Sequence, residues 1–112
     1  MAEKNMLVII KSAPYATLNS YEATRVAVGL WDHEVSILWT GDGAYSLLKG
    51  ADHGLTGKFL EDLPDLEIQA YVDDESLRAR GLGAEDILEG ITPASGEKVE
   101  ELILEAEASL VF

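Results

Sequence analysis

Short apolar runs alternate with amphipathic stretches along the chain, and that alternation predicts the elements. Met6–Ile10 is a continuous apolar run with β-branched members, the pattern of a strand covered on both faces. Lys11-Ser12-Ala13-Pro14-Tyr15 breaks it into a loop, since proline lacks an amide proton and biases Ala13 towards extended geometry. Tyr21, Thr24, Val28 and Trp31 recur at helical spacing, with Ala23, Val26, Ala27 and Leu30 between them, and predict a helix over 19–32. It carries little charge, so burial or an interface is expected for it.

Val35–Trp39 is the second strand, ended by Gly41-Asp42-Gly43. Ala44–Lys49 reads as a helix with Gly50 near its stop. A short helix is expected over Thr56–Leu63, before Pro64, and a third strand over Glu67–Val72. Glu75–Arg80 gives one or two helical turns stopped by Gly81, and Ile87–Ile91 is the expected fourth strand. Thr92-Pro93-Ala94-Ser95 is read as opening the last helix, with Val99, Leu102, Ile103 and Ala106 as its apolar stripe and Glu97, Glu100, Glu101, Glu105 and Glu107 as its wet side. Ser109–Phe112 is the expected last strand. Strands alternating with helices imply an α/β protein with a mostly parallel sheet of five strands and right-handed crossovers.

The length of 112 residues bounds this to one domain, 1–112. The formal charge of −13 argues against nucleic acid and against an anionic membrane surface, and favours a basic protein partner or plain solubility. The chain has no cysteine, which excludes disulfides, cysteine-ligated metal and thiol chemistry on this polypeptide. No apolar run reaches the roughly 20 residues of a membrane helix, and the first residues lack a signal-peptide plan. The cytoplasm is the expected location.

In an open α/β sheet, ligands gather beyond the carboxyl ends of the strands. That directs attention to the loops at 11–18, 41–43 and 73–75. Lys11 is either an anion or partner contact or simply exposed. Tyr15 and Tyr45 either line a cleft or cap the core. The glycines around Asp42 permit unusual backbone angles, and Asp42 suits capping the helix that follows. Amides at that helix start, Gly43 among them, are alternatively an anion site, although Gly-Asp-Gly is shorter than the known phosphate loops. His33 and His53 each neighbour an aspartate but lack a spaced second ligand, so no metal site is expected. The serines have no nucleophile motif, no cofactor is indicated, and an enzyme is not expected.

Several stretches, taken in order, are similar to the DsrE/DsrF family, in its DsrF/TusC branch. They are Lys11-x-Ala13-Pro14-Tyr15, Glu22-Ala23, Gly41-Asp42-Gly43-x-Tyr45-x-Leu47-Leu48, Ser76-Leu77-Arg78-x-Arg80-Gly81-Leu82, the helix from Ala94 to Leu104 and the strand ending at Phe112. The resemblance implies a flavodoxin-like, three-layer α/β sandwich. It further implies a trimer or hexamer, or a mixed hexamer with DsrE/TusD-like and DsrH/TusB-like chains, in which the DsrE/TusD-like cysteine carries persulfide sulfur. A chain of the DsrF/TusC branch then resembles a supporting subunit. Lys11, Tyr15, Asp42, Gly43, Tyr45 and Arg80 are the candidate contacts for a partner or ligand. The first helix, with Trp31, suits either subunit contact or packing on the sheet. The competing expectation is a stand-alone homo-oligomer that binds a small ligand or anion.

Overall fold

The computed structural model describes residues 4–14, 18–30, 32–51, 53–54 and 56–112. Its elements run β1 (Asn5–Ile10), α1 (Asn19–Gly29), β2 (Glu34–Trp39), a 3-10 helix (Gly41–Leu47), α2 (Gly57–Asp62), β3 (Gln69–Asp73), α3 (Asp74–Ala79), a 3-10 turn (Ala84–Asp86), β4 (Thr92–Ala94), α4 (Gly96–Glu105) and β5 (Ala108–Val111). The sheet order is β4-β3-β2-β1-β5, and every neighbouring pair is parallel. This is the expected single-domain α/β architecture with five strands.

The two-residue period of the strands divides the core into two layers. Val8 and Ile10 of β1, Ile37 and Trp39 of β2 and Ala70 and Val72 of β3 share one face, where they meet Ala23 and Ala27 of α1 and Leu63 beyond α2. Leu7 and Leu38 point the other way and meet Leu102 of α4, with Ile9, Tyr71 and Val99 packed around them. Helices therefore cover both faces, but unequally. The first face carries α1, α2 and the 3-10 helix, whereas α4 packs on the second.

Small residues bring α1 close to the sheet. Its buried positions are Ser20, Ala23, Thr24 and Ala27. The Thr24 hydroxyl donates back to the Ser20 carbonyl at 3.0 Å, and the Ser20 and Ser46 hydroxyls are bonded at 3.1 Å in the interior. Tyr21 leans on the Phe59 ring of α2, with centroids 5.7 Å apart. The helix stops at Gly29 rather than at residue 32, because the Leu30 amide closes the last turn onto Val26 and Ala27 and His33 then turns back onto Leu30. Trp31 and Tyr15 lie outside the described residues.

Three expectations need correction. The helix placed at Ala44–Lys49 begins earlier and winds tighter, as a 3-10 helix over Gly41–Leu47, and Leu48 leaves it extended. Ile87–Ile91 is not a strand: Ile87 forms one antiparallel bridge with Leu48, and Gly90, at φ 88°, turns the chain away. The fourth strand is instead Thr92–Ala94, so the last helix starts at Gly96 behind the Ser95 cap. Pro93 is tolerated there because β4 is the outer strand of the sheet, where a missing amide proton breaks no ladder.

Candidate functional site

The carboxyl ends of β1, β2 and β3 bring three chain turns together. After β2, the Thr40 amide bonds the Ile10 carbonyl at 2.9 Å, and the Gly43 amide returns to the Thr40 carbonyl at 2.9 Å. This folds Gly43 directly onto the end of β1. A β-carbon at Gly43 would lie 2.2 Å from the Ile10 carbonyl oxygen and 3.4 Å from the Lys11 α-carbon. The glycine is therefore required by close backbone approach. Gly41 beside it adopts φ 53°, the left-handed region that favours glycine.

The turn after β3 locks onto this one. Ser76 of α3 donates its hydroxyl to the Asp73 carboxylate at 2.7 Å and accepts from the Gly41 amide at 2.9 Å. Arg80, at the end of α3, reaches back across the same gap. Its Nε and Nη2 donate to Asp42 Oδ1 at 3.1 and 2.8 Å, and its Nη1 donates to the Ser76 carbonyl at 3.1 Å. The guanidinium lies 5.8 Å from the centre of the Tyr45 ring, within cation–π range. Arg80 is largely enclosed, with 22% of its side chain exposed, while Asp42 is 59% exposed.

The structure thus joins Asp42, Tyr45 and Arg80 directly, with Gly43 behind them. Lys11 abuts the same turn through its backbone, and its carbonyl oxygen would lie 3.9 Å from a β-carbon on Gly41. The Lys11 side chain is exposed and makes no ion pair among the described residues. Asp42 is not a helix cap: Thr40 holds the cap position of the 3-10 helix, and the carboxylate is turned to Arg80 instead. Two of the turn's amides, those of Gly41 and Gly43, are already bonded within the protein. Asp73 and Ser76 stand in the sequence reading only as a loop end and a motif member, and their part in the site was not foreseen. Their spacing of three, with the aspartate just ahead of a helix, was the available signal.

An open, mainly apolar trough of about 990 Å³ runs beside this network, lined by Ala13, Pro14, Tyr45, Leu48 and Leu82. A more polar cleft of about 680 Å³ lies at the other end of the sheet, where His33, Glu34, Gln69, Tyr71 and Lys98 line it. Both histidines are held by backbone. His33 Nδ1 accepts from the Lys4 amide at 3.2 Å, and His53 Nε2 lies 3.1 Å from the Ser46 carbonyl. No group of three or more metal-binding side chains occurs among the described residues. No helix among them is long and apolar enough to cross a membrane. Away from this edge, a hydrogen bond from Arg25 to Glu22, aided by the glutamate's charge, holds the guanidinium above its ordinary value.

Known proteins resemble this chain in sequence and in shape. It is 35% identical over 94 residues to the intracellular sulfur oxidation protein DsrF of Allochromatium vinosum, an alignment covering 77% of this chain and 69% of that protein. It is 31% identical over 113 residues to the TusC homolog of Vibrio parahaemolyticus, covering 93% and 95% respectively. Its fold superposes on the ychN protein from E. coli with a TM-score of 0.84 at 19% identity, over 99% of this chain and all of that one. MTH1491 of Methanobacterium thermoautotrophicum, a protein of unknown function, follows at 0.72 and 16%, with the same coverage. The model of the DsrE/DsrF-like family matches residues 4–112, and the chain belongs to that family.

Proposed function

We propose that this chain is a non-catalytic subunit of an intracellular sulfur-relay assembly, supporting a cysteine-bearing partner. One observation carries the reading: a chain similar to DsrF and to a TusC homolog contains no cysteine among its 112 residues. Persulfide sulfur travels on a cysteine sulfur, attacked and released as a thiolate. Every covalent step of a relay then falls to another chain, a DsrE/TusD-like one, with a DsrH/TusB-like chain as the third member. This subunit acts by shape and contact, in the cytoplasm.

The carboxyl edge of the sheet supports a supporting role better than ligand capture. Each of the three Arg80 nitrogens already makes one bond, and the Asp42 carboxylate held against the guanidinium offsets the charge that would draw in a small anion. The network is suited to holding two turns in a fixed relation, beside Tyr45 and the trough. A stand-alone anion binder finds less support for the same reason.

Co-expression of the chain with a DsrE-like chain from the same source tests the reading. The two are expected to purify together, and labelled persulfide is expected only on the partner. Recovery of the chain alone, or of turnover from the chain alone, overturns it.

A further inference from the structure

A different part of the molecule is built to be covered. Among the described residues six large hydrophobic side chains are exposed, and four of them fall between residues 103 and 111. They are Ile103 at 48%, Leu104 at 75%, Leu110 at 38% and Val111 at 56%. All four residues of β5 are exposed, although it is a parallel strand, a type normally buried on both faces. Its register with β1 sets Val111 beside Ile9, on the face that carries α4. Yet α4 buries one residue, Leu102, and leaves that margin of the sheet open. Leu104, two positions on, projects from nearly the opposite side of the helix.

The two edges of the sheet are treated differently. At the β4 edge, Pro93 and a length of three residues discourage another strand. At the β5 edge the sequence Ala108-Ser109-Leu110-Val111 has no proline, no lysine and no bulge. Such an edge is free to accept a chain alongside it.

Charge then identifies the occupant. Glu100 and Glu101 precede Leu104 by four and three positions, so they flank it on the helix surface. Glu105 and Glu107 continue the acidic rim towards β5, and all four are exposed. Lys98, on the same helix, is already 3.6 Å from Glu101. A symmetric pairing of two copies through this face would bring two acidic rims together around a desolvated centre, where like charges repel strongly. We infer that the outer side of α4 and the β5 edge form the docking surface for the partner subunit, and that the partner presents an apolar centre ringed by lysine or arginine.

This inference rests on the proposed subunit role, and the test separates the two. The chain is co-expressed with the DsrE-like chain as wild type, as Ile103→Glu with Leu104→Glu, and as Glu100→Lys with Glu101→Lys. Both pairs are exposed, so each variant is expected to melt like the wild type. The Ile103/Leu104 pair is expected to weaken retention of the partner at least about tenfold, as loss of central apolar contacts does. The Glu100/Glu101 pair is expected to slow association and to reverse its dependence on salt. Retention of the partner by both variants overturns the surface and leaves the subunit role standing. An isolated wild type that sediments as a dimer, with the Ile103/Leu104 variant monomeric, shows a second copy in place of the partner and also overturns it. A wild type that retains no partner overturns the subunit role, and this inference with it.

Discussion

Single residues at the carboxyl edge matter through close approach and through pairing over long sequence distance. Gly43 illustrates the first. Its importance was legible as a glycine in a sharp turn, but the reason is contact with the Ile10 carbonyl rather than an unusual backbone angle. Gly43→Ala is expected to destabilise the fold by about 1–3 kcal/mol, the cost of forcing an extra group into a packed site. A thermal melt should fall by several degrees, and an unchanged melting temperature would contradict the close approach. Arg80 illustrates the second. It and Asp42 are 38 positions apart, so neither periodicity nor a local motif announces the pair; family resemblance flagged both residues without their contact. Arg80→Ala is expected to lower stability by about 1 kcal/mol, the upper end for a partly exposed ion pair. Arg80→Lys should recover little of it, since an ammonium cannot serve Asp42 and the Ser76 carbonyl together. Urea midpoints of the three proteins decide both points.

At the scale of elements, hydrophobic pattern located β1, β2, α2, α3 and α4 to within a few residues. Where it failed, proline and glycine were ambiguous. Pro93 before an acidic, apolar-striped segment reads as the first turn of a helix, and the same residue is equally at home in an outer strand. Only the neighbouring strand β3 decides between them, by pairing Val72 with Pro93. At the displaced strand, Ile87–Ile91, Ile87 is buried and Ile91 partly so against the first-face core, and Gly90 turns the chain before it can ladder into the sheet. The corrected start of α4 has a direct consequence. Ser95 accepts from the Lys98 amide at 3.2 Å, so Ser95→Ala is expected to cost about 1 kcal/mol. Thr92→Ala, at an exposed position of β4, is expected to change stability by less than about 0.5 kcal/mol. Equal losses from the two substitutions, measured by denaturation, would restore the earlier helix start.

For the whole molecule, net charge sets two opposing responses to salt. A formal charge of −13 on 112 residues makes the folded chain repel itself, and expanding relieves that repulsion. The exposed ion pairs, such as Lys58 with Asp62 at 3.6 Å, are too few and too well hydrated to offset it. Raising sodium chloride from about 10 to 200 mM shortens the screening length from about 30 Å to under 10 Å. The isolated chain should therefore melt several degrees higher in the saltier buffer. Docking of a basic-rimmed partner on the acidic α4–β5 surface depends on the same charges with the opposite sign. Screening removes attraction there, so the association rate should fall as salt rises. Melting of the free chain and association with the partner, followed through one salt series, are expected to diverge. If salt instead strengthens both together, the partner is held by apolar burial without charge pairing, and the acidic rim serves only to keep two copies of this chain apart.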